Sequence, residues 1–359
     1  MEFCCKTKII SGPGAVSALK TMGIKKALIV TDPYFAENGQ AQRIAGLTQA
    51  GQTDIFSHIT PNPTVEQVAE GTARFKALMP DAVIALGGGS AMDTAKAVCY
   101  FGGEKTRLIA IPTTSGSGSE VTDFAVLTAG GVKHPLIDPG LQPEAAILDS
   151  DLLEKLPPAL IADSGFDVLS HALEAYVATN SGPITDALAA DAFSATFASL
   201  PASFAGNRAV RLKIHQAATM AGMAFSSAGL GLCHAMSHAL GGMFHLPHGR
   251  LNAILLPAVV DVNLHRAGQK YAKLARYAGL GSSADTVAVR NLKNALIRLR
   301  RELCLPETLQ QAGVDPRLVR KNAPQLVEAA LQDPCCKTNP TEVEDYMVRA
   351  VLEAVTGRG

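Results

Sequence analysis

The chain has 359 residues, of which 32 are lysine or arginine and 32 are aspartate or glutamate, so its formal net charge at pH 7 is zero. This neutrality argues against a nucleic-acid partner, because such binding needs a basic surface. A hydrophobic fraction of 47% with 18% charged residues excludes a disordered chain. At roughly 150 residues per domain, the length predicts two domains.

Strand and helix patterns alternate along the chain up to about residue 160. Buried-strand patterns occupy residues 26–31, 81–86 and 107–111, and a helical pattern covers residues 64–78. Such alternation predicts a parallel sheet with helices on both faces, as in Rossmann-like domains that bind dinucleotides. We therefore predict an α/β nucleotide-binding domain over residues 1–158.

A glycine-rich turn follows the second of these strand patterns and leads into a helix pattern. Gly87, Gly88, Gly89 and Ser90 form the turn, and Asp93 lies in the first helical turn. Glycines let the backbone approach an anion closely, and the first free N–H groups of a helix point at it. An ordinary strand–helix connection is the alternative, but it does not require three consecutive glycines. We therefore predict phosphate or pyrophosphate binding, with Asp93 fixing the loop.

Two further strand ends add polar groups to the same predicted sheet edge. The loop over residues 112–120 offers five hydroxyl groups and two glycines, and predicts a second wall of a cofactor site. Asp32 follows the first strand, where it could accept from a ribose hydroxyl and repel a 2′-phosphate, which favours NAD over NADP. An aspartate in that place is also a common turn residue, and the sequence leaves both interpretations open.

Beyond residue 158 the apolar spacing becomes helical. Residues 286–303 and 341–355, for example, have the pattern of amphipathic helices with charged outer faces. We therefore predict an all-helical domain over residues 159–359.

Histidines are concentrated in this second half, where four of the nine fall within residues 234–248. His234 and His238 are four residues apart and share one face of a helix, as do Asp167 and His171. Two such helices can converge on one divalent ion, with His248 reaching in from the next turn. The alternative of packed core histidines is disfavoured, because apolar helices gain nothing from burying several imidazoles. Carboxylate and imidazole ligands without a thiolate suit Fe²⁺ or Zn²⁺.

The sequence resembles the iron-containing, or group III, alcohol dehydrogenases essentially end to end. The resemblance is carried by residues 87–96, 112–122, 167–174 and 221–257. Within that family, the short length and the stretches around Phe225 and His248 look most like the propanol dehydrogenase branch associated with propanediol or ethanolamine degradation.

The resemblance implies a role for individual positions. The implied metal ligands are Asp167, His171, His234 and His248. The implied cofactor residues are Asp32, Gly88, Gly89, Ser90, Asp93, Thr113, Thr114, Ser117 and Lys133. His238 matches a histidine beside the metal that is not a ligand, and is the candidate catalytic residue for substrate contact or proton relay. Ser226 and Ser227 stand where relatives often carry asparagine, and Ser117 where threonine is commoner, which we expect to tune the pocket.

The activity implied is hydride transfer between NAD(H) and a small uncharged primary alcohol or aldehyde, such as 1-propanol and propanal or ethanol and acetaldehyde. Fe²⁺ is the expected metal, with Zn²⁺ as the alternative. The cations between residues 160 and 250 are few: Arg208, Arg211, Lys213 and Arg250. None lies inside either metal-binding run, although Arg250 follows His248 closely. This disfavours an anionic substrate, which would need a cationic partner.

Three other functions remain open from the sequence. A polyol oxidoreductase of the glycerol dehydrogenase type would share the fold and the cofactor. A lyase resembling dehydroquinate synthase would act on a sugar phosphate, and the few cations argue against it. A non-catalytic nucleotide-binding module is disfavoured by the intact set of metal ligands.

The sequence also predicts a cytoplasmic protein with no nucleic-acid or membrane partner. No apolar run approaches the roughly 18–20 residues that cross a bilayer, and the first residues lack the pattern of a signal peptide. An odd number of cysteines, seven, fits reduced thiols better than a disulfide framework. The family resemblance further suggests a homo-oligomer and association with a bacterial microcompartment.

Overall fold

A computed structural model describes residues 3–103, 106–130 and 132–357. These residues form two compact units, the first spanning Cys4–Leu156 and the second beginning at Pro157. The domain boundary predicted from the sequence, after residue 158, lies two residues further along the chain.

A parallel sheet of six strands forms the centre of the first unit, in the spatial order β1-β8-β5-β4-β2-β3, and a separate antiparallel hairpin pairs β6 with β7. The strands are β1 (Lys8–Ser11), β2 (Lys26–Thr31), β3 (Gln52–Phe56), β4 (Ala82–Gly87), β5 (Arg107–Pro112), β6 (Phe124–Ala129), β7 (Val132–Ile137) and β8 (Ala145–Leu148). The central strands β4 and β2 are apolar on both faces, as expected where helices cover a sheet on two sides.

Four α-helices accompany these strands: α1 (Pro33–Glu37), α2 (Gln40–Thr48), α3 (Val65–Leu78) and α4 (Gly89–Gly102). The helix predicted from residue 64 begins one residue later, because Thr64 caps it. The Thr64 hydroxyl accepts from the Gln67 N–H at 3.3 Å, and the Gln67 side chain accepts from the Thr64 N–H at 3.2 Å. The α/β prediction for this half is confirmed.

The second unit is built from eight α-helices, and its described residues contain no strand. The helices are α5 (Pro158–Val177), α6 (Pro183–Phe204), α7 (Arg211–Ala228), α8 (Leu232–Phe244), α9 (His248–Tyr277), α10 (Asp285–Glu302), α11 (Pro316–Gln332) and α12 (Asp345–Thr356). The all-helical prediction is therefore confirmed.

The last predicted helix is shorter than its apolar pattern indicated, since it begins at Asp345 and not at residue 341. The Thr341 carbonyl accepts a hydrogen bond from Asn339 Nδ2 at 2.7 Å, and Glu344 has extended dihedral angles. This side-chain hydrogen bond gives the backbone a partner outside a helix.

No helix among the described residues is both long and apolar enough to cross a membrane. The cysteines are all free thiols.

Candidate cofactor and metal sites

The glycine-rich turn joins β4 to α4, and Gly88 occupies the position that caps α4. Gly87 has a φ of +150°, and a Cβ there would lie 2.6 Å from the Ala91 Cβ. A side chain at this position would therefore meet both backbone strain and a steric clash. The turn thus leaves the first N–H groups of α4, around Gly89 and Ser90, at the carboxyl edge of the sheet, where phosphate binding was predicted.

The hydroxyl-rich loop after β5 packs directly on this turn. The Thr113 N–H donates to the Gly87 carbonyl at 3.0 Å. A Cβ on Gly88 would lie 3.2 Å from Thr114 Oγ1, and one on Gly89 would lie 3.4 Å from the Ser117 Cβ. The structure therefore brings the two predicted walls of the cofactor site together, and the glycines permit this close approach.

Asp93 connects α4 to the end of this loop and to strand β6. Its Oδ1 accepts from Ser119 Oγ at 2.8 Å, and its Oδ2 accepts from the Val126 N–H at 3.1 Å. Burial raises the pKa of Asp93, and the ammonium groups of Lys96 and Lys133 act in the opposite direction. The two oxygens thus bind the end of the hydroxyl-rich loop and strand β6, and not the glycine-rich turn that the sequence analysis expected Asp93 to fix. Lys133 on β7 lies near the same carboxylate.

Lys96 is a positioning residue of this region that the sequence analysis did not select. Its Nζ is buried and donates to the Thr122 carbonyl and hydroxyl, both at 2.9 Å, and to the Phe124 carbonyl at 2.8 Å. Burial lowers the pKa of Lys96 to about 8. The spacing of Lys96 from Asp93 could have identified it from the sequence, because residues three apart share a face of a helix.

Asp32 lies at the carboxyl end of β2 and caps α1. Its Oδ1 accepts from the Phe35 N–H at 3.1 Å, which is the turn role considered from the sequence. A Cβ on Gly87 would lie 3.5 Å from Asp32 Oδ2, so the second carboxylate oxygen is beside the glycine-rich turn. Burial raises the pKa of Asp32, against the hydrogen bonds from the α1 backbone. Asp32 can therefore cap α1 with one carboxylate oxygen while the other oxygen lies beside the predicted cofactor site.

The metal-ligand candidates of the second unit come from three helices. Asp167 and His171 lie one turn apart on α5, His234 is in the first turn of α8, and His248 begins α9 and does not lie in a preceding turn. Ligand atoms of Asp167, His234 and His248 all lie within 4.8 Å of one another. His171, the fourth predicted ligand, stacks its ring on that of His234, with 4.5 Å between the ring centroids.

Glu174 orients His234 and was not assigned a role from the sequence. His234 Nδ1 donates to Glu174 Oε2 at 2.6 Å, and the carboxylate also accepts backbone N–H groups of Gly231 at 3.0 Å and Cys233 at 2.7 Å. With Nδ1 occupied, His234 presents Nε2 to an ion. Burial lowers the pKa of His234 well below its ordinary value, which keeps the imidazole neutral, as a metal ligand must be. Glu174 lies seven residues after Asp167, on the same face of α5.

Asn252 contacts the candidate ligand atoms of both Asp167 and His234. Its Nδ2 donates to Asp167 Oδ1 at 2.8 Å and lies 3.3 Å from His234 Nε2. Its Oδ1 accepts from the hydroxyl of Ser237 and from the thiol of Cys233, which fixes the orientation of the amide. Because Asn252 follows His248 by four residues on α9, helical spacing was again the signal that could have found it.

His238 has a carboxylate partner far away in the sequence. Its Nδ1 donates to Asp333 Oδ2 at 2.8 Å, and its ring stacks on that of His248 with 5.1 Å between centroids. Burial alone would raise the pKa of Asp333, but the hydrogen bonds from His238 and from the Cys335 N–H lower it to about 2. No sequence pattern pointed to Asp333, because 95 residues separate it from His238.

A carboxylate oxygen and imidazole nitrogens that converge in this way fit Fe²⁺ or Zn²⁺. The family comparisons agree with this chemistry. The family model of iron-containing alcohol dehydrogenases matches residues 6–150, and the C-terminal model of the Fe-containing alcohol dehydrogenase family matches residues 161–356. The chain belongs to the iron-containing alcohol dehydrogenase family.

Individual relatives of this dehydrogenase span its whole length. It is 40% identical to the 1-propanol dehydrogenase PduQ of Citrobacter freundii, over 98% of this chain and 99% of the relative. It is similar in structure to the iron-containing alcohol dehydrogenase of Thermococcus thioreducens, with a TM-score of 0.91, 33% identity, and coverage of 98% and 99% of the two chains. The sulfoacetaldehyde reductase of Bifidobacterium kashiwanohense, solved with NAD⁺, has a TM-score of 0.90 at 27% identity, covering 100% and 99%.

These findings confirm the predicted family, its propanol dehydrogenase branch and its fold. The dehydrogenase is thus an alcohol and aldehyde oxidoreductase, and the predicted cofactors, iron and NAD(H), are confirmed at the level of the family. The roles assigned to individual residues stay predictions.

One feature of the site bears on the substrate of the dehydrogenase. Arg250, which follows His248 by two residues, donates from Nε and Nη2 to the two oxygens of Asp163 at 3.2 and 3.0 Å. The cation closest in sequence to the metal ligands therefore forms a bidentate ion pair with a carboxylate, which neutralises its charge.

Proposed function

We propose that this dehydrogenase interconverts small uncharged primary alcohols and aldehydes, such as 1-propanol and propanal or ethanol and acetaldehyde, with NAD(H) and Fe²⁺. The observation that carries the proposal is the convergence of Asp167, His234 and His248 to within 4.8 Å of one another. Asp167, His171, His234 and His248 would hold the ion. When bound, iron supplies Lewis acidity toward the substrate oxygen, and the nicotinamide supplies or accepts the hydride.

The residues of the second unit prepare that chemistry. Glu174 holds His234 as the tautomer that has a proton on Nδ1 and an unprotonated Nε2. Asp333 likewise holds His238 as the tautomer that has a proton on Nδ1. The imidazole of His238 then contacts the substrate or relays the proton of the substrate to solvent. His238 is thus the proposed catalytic residue, and Asp333 is its positioning residue.

The first unit supplies the nucleotide contacts. The N–H groups at the start of α4, with Gly88, Gly89 and Ser90, bind the pyrophosphate, while Asp93 fixes the adjoining loop. Thr113, Thr114, Ser117 and Lys133 lie along the cofactor. Asp32 accepts from a ribose hydroxyl, and its charge would repel the 2′-phosphate of NADP. The NAD⁺ bound to the reductase of Bifidobacterium kashiwanohense supports the same choice for this chain.

Two observations support a small uncharged substrate. The guanidinium of Arg250 is paired with the carboxylate of Asp163, so its positive charge is neutralised and attracts a carboxylate or phosphate of a substrate less strongly. The relative from Citrobacter freundii is a 1-propanol dehydrogenase. A lyase acting on a sugar phosphate would need a cation whose charge is not already neutralised by a carboxylate, as that of Arg250 is by Asp163.

Steady-state kinetics on metal-free protein reloaded with Fe²⁺ or Zn²⁺ tests the proposal. We expect reduction of aldehydes with two to four carbons, with NADH preferred to NADPH, and weak oxidation of glycerol. Failure of both metals to restore aldehyde reduction would contradict the mechanism, and a preference for vicinal diols would favour a polyol dehydrogenase.

His248→Ala should abolish metal retention. His265 is an exposed histidine on the same helix, so His265→Ala is the control and should retain the metal.

We also propose that the enzyme is a cytoplasmic homo-oligomer that associates with a bacterial microcompartment. The support is the resemblance to the propanol dehydrogenase branch, together with the 40% identity to the Citrobacter freundii enzyme. Light scattering on the purified enzyme measures the oligomeric state. Co-purification with isolated microcompartment shells tests the association, and recovery of the enzyme only in the shell-free fraction would contradict it.

A further inference from the structure

A second group of potential metal ligands lies beside the first. It consists of His238 on α8, Asp333 just after α11, and Cys335 in the short 3-10 turn Pro334–Thr338. Each offers one ligand atom, and these atoms all lie within 4.8 Å of one another. Asp333 is the centre of the group, because it accepts from His238 Nδ1 at 2.8 Å and from the Cys335 N–H at 2.9 Å.

The donor set of this group differs from that of the first site. Imidazole nitrogen, carboxylate oxygen and thiolate sulfur are each ligands of Zn²⁺, and three of them leave a fourth tetrahedral position for water. The first site has no sulfur among its predicted ligands. The side chains of His238 and Asp333 are 29% and 13% exposed, and Cys335 is partly exposed as a residue, so the group is in part accessible to solvent.

We propose that His238, Asp333 and Cys335 form a second metal site, which binds Zn²⁺ and inhibits the enzyme by holding the imidazole of His238. The site itself depends only on the geometry of the second unit. Its effect on turnover rests on the proposed function, in which His238 contacts the substrate or relays a proton.

The charges of the group allow binding next to an occupied first site. As the ion binds, the S–H bond of Cys335 breaks and its proton leaves to solvent. The proton on His238 Nδ1, which Asp333 accepts, is replaced by a proton on Nε2, so that Nδ1 can bind the ion and the imidazole stays neutral. The resulting thiolate and the carboxylate of Asp333 together cancel the two positive charges of the ion. The complex is therefore neutral overall, and repulsion from an iron ion held by Asp167, His234 and His248 is reduced.

The sulfur ligand also gives the site its own spectroscopic signal. Co²⁺ commonly replaces Zn²⁺, and a thiolate bound to Co²⁺ gives a near-ultraviolet charge-transfer absorption that oxygen and nitrogen ligands do not. Co²⁺ titrated into the iron-loaded enzyme under anaerobic conditions should produce this absorption, and Zn²⁺ should remove it by competition. Absence of the absorption in the unmodified enzyme would overturn the proposal.

Neighbouring cysteines provide a matched pair of variants. The Cys336 thiol is directed at the Ala330 carbonyl at 3.0 Å, so Cys336→Ser should keep the absorption, while Cys335→Ser should lose it. Loss of an outer-shell partner already weakens metal binding by about 10–100-fold, so loss of a direct ligand should weaken Zn²⁺ binding by about 100-fold or more. The opposite pattern, or absorption that persists in Cys335→Ser, would show that another thiol is responsible. Asp333→Asn provides a second variant if Cys335→Ser does not fold.

Measurements of inhibition and of iron content distinguish Zn²⁺ binding at this second site from replacement of iron by Zn²⁺ at the first. Zn²⁺ should inhibit aldehyde reduction by the iron-loaded enzyme and by Cys336→Ser, and about 100-fold more Zn²⁺ should be needed for Cys335→Ser. The iron bound per chain should stay constant during inhibition. Release of iron in proportion to inhibition would overturn the proposal. An enzyme that shows the cobalt absorption but reduces no aldehyde would instead contradict the proposed function alone.

Discussion

Glu174 contributes to two parts of the second unit at once. Its carboxylate accepts the N–H groups of Gly231, Cys233 and His234, which would otherwise be unpaired donors at the start of α8. The same carboxylate accepts from His234 Nδ1. Helix position and imidazole tautomer therefore depend on one buried side chain.

Glu174→Gln should weaken metal binding without preventing folding. Glutamine keeps the size of the side chain but removes the charge and one of the acceptor atoms, so His234 is oriented less firmly. We expect iron affinity to fall by about 10–100-fold, measured by competition with a chelator. Glu353→Gln, on the exposed surface of α12, is the control and should keep the affinity of the unmodified enzyme. Unchanged iron affinity in Glu174→Gln would contradict the orienting role.

The pair of His238 and Asp333 should stabilise the fold in a pH-dependent way. The folded-state pKa of Asp333 is about 2, below the ordinary value of 3.8, so its stabilisation is present above pH 3.8 and is lost as the pH falls through about 2. The shift corresponds to about 2 kcal/mol near neutral pH.

Asp333→Asn should therefore lower the free energy of unfolding more at pH 6 than at pH 3. Urea unfolding measures the free energy of unfolding of the variant and of the unmodified protein, both without metal. We expect the difference between these two free energies to be about half as large at pH 3 as at pH 6. A difference that stays constant with pH would mean that the Asp333 carboxylate contributes packing and not charge.

At the scale of elements, the metal cluster depends on the close approach of α5 and α9. Gly249 makes this possible, since a Cβ there would lie only 1.9 Å from the Asp163 carbonyl oxygen on α5. The neighbouring His248 then reaches Asp167, with 3.7 Å between His248 Nε2 and Asp167 Oδ1. The distance between the helices therefore sets the distance between the ligands.

Gly249→Ala should separate α9 from α5 and disperse the ligands. We expect a loss of stability of about 1–3 kcal/mol, as for overpacked cores, together with loss of bound iron. Thermal unfolding and the iron content of the purified variant are the measurements. Gly242→Ala on α8 is the matched control, because a Cβ there meets nothing within 4 Å. Full iron content in Gly249→Ala would show that this contact does not set the metal site.

At the scale of the whole molecule, the nucleotide and metal residues belong to different compact units, each with its own core. A ligand stabilises the structure that binds it, by about 2.7 kcal/mol at a concentration of 100 times its Kd. Iron should therefore slow hydrogen exchange in α5, α8 and the start of α9. NADH should slow it in α4 and in the loop over residues 113–122.

Hydrogen exchange followed by mass spectrometry tests this division. Helix α12, which contributes none of the proposed ligands, serves as the internal reference. The assignment of the two sites would be contradicted if NADH slowed hydrogen exchange only in α5 and α8. It would also be contradicted if iron slowed hydrogen exchange only in α4.

Local patterns were sufficient for the fold class and for most of the proposed site. Strands β2, β4 and β5 lie where their apolar runs predicted them, because strands buried on both faces have a continuous apolar signal. Helical spacing paired Asp167 with His171 and His234 with His238, since residues four apart necessarily share a face. The final helix was predicted too long, because the Asn339 side chain binds the Thr341 carbonyl outside a helix.

The sequence by itself thus determined the two-part architecture, the glycine-rich turn and the candidate ligands that lie one helical turn apart. Only the tertiary structure brought Glu174 to the start of α8 and Asp333 to His238, and it stacked His171 on His234. The physical reason is the range of the interactions. Propensity and periodicity act within a few residues, whereas the pairing of His238 with Asp333 spans 95 residues and is decided by how α8 and α11 pack.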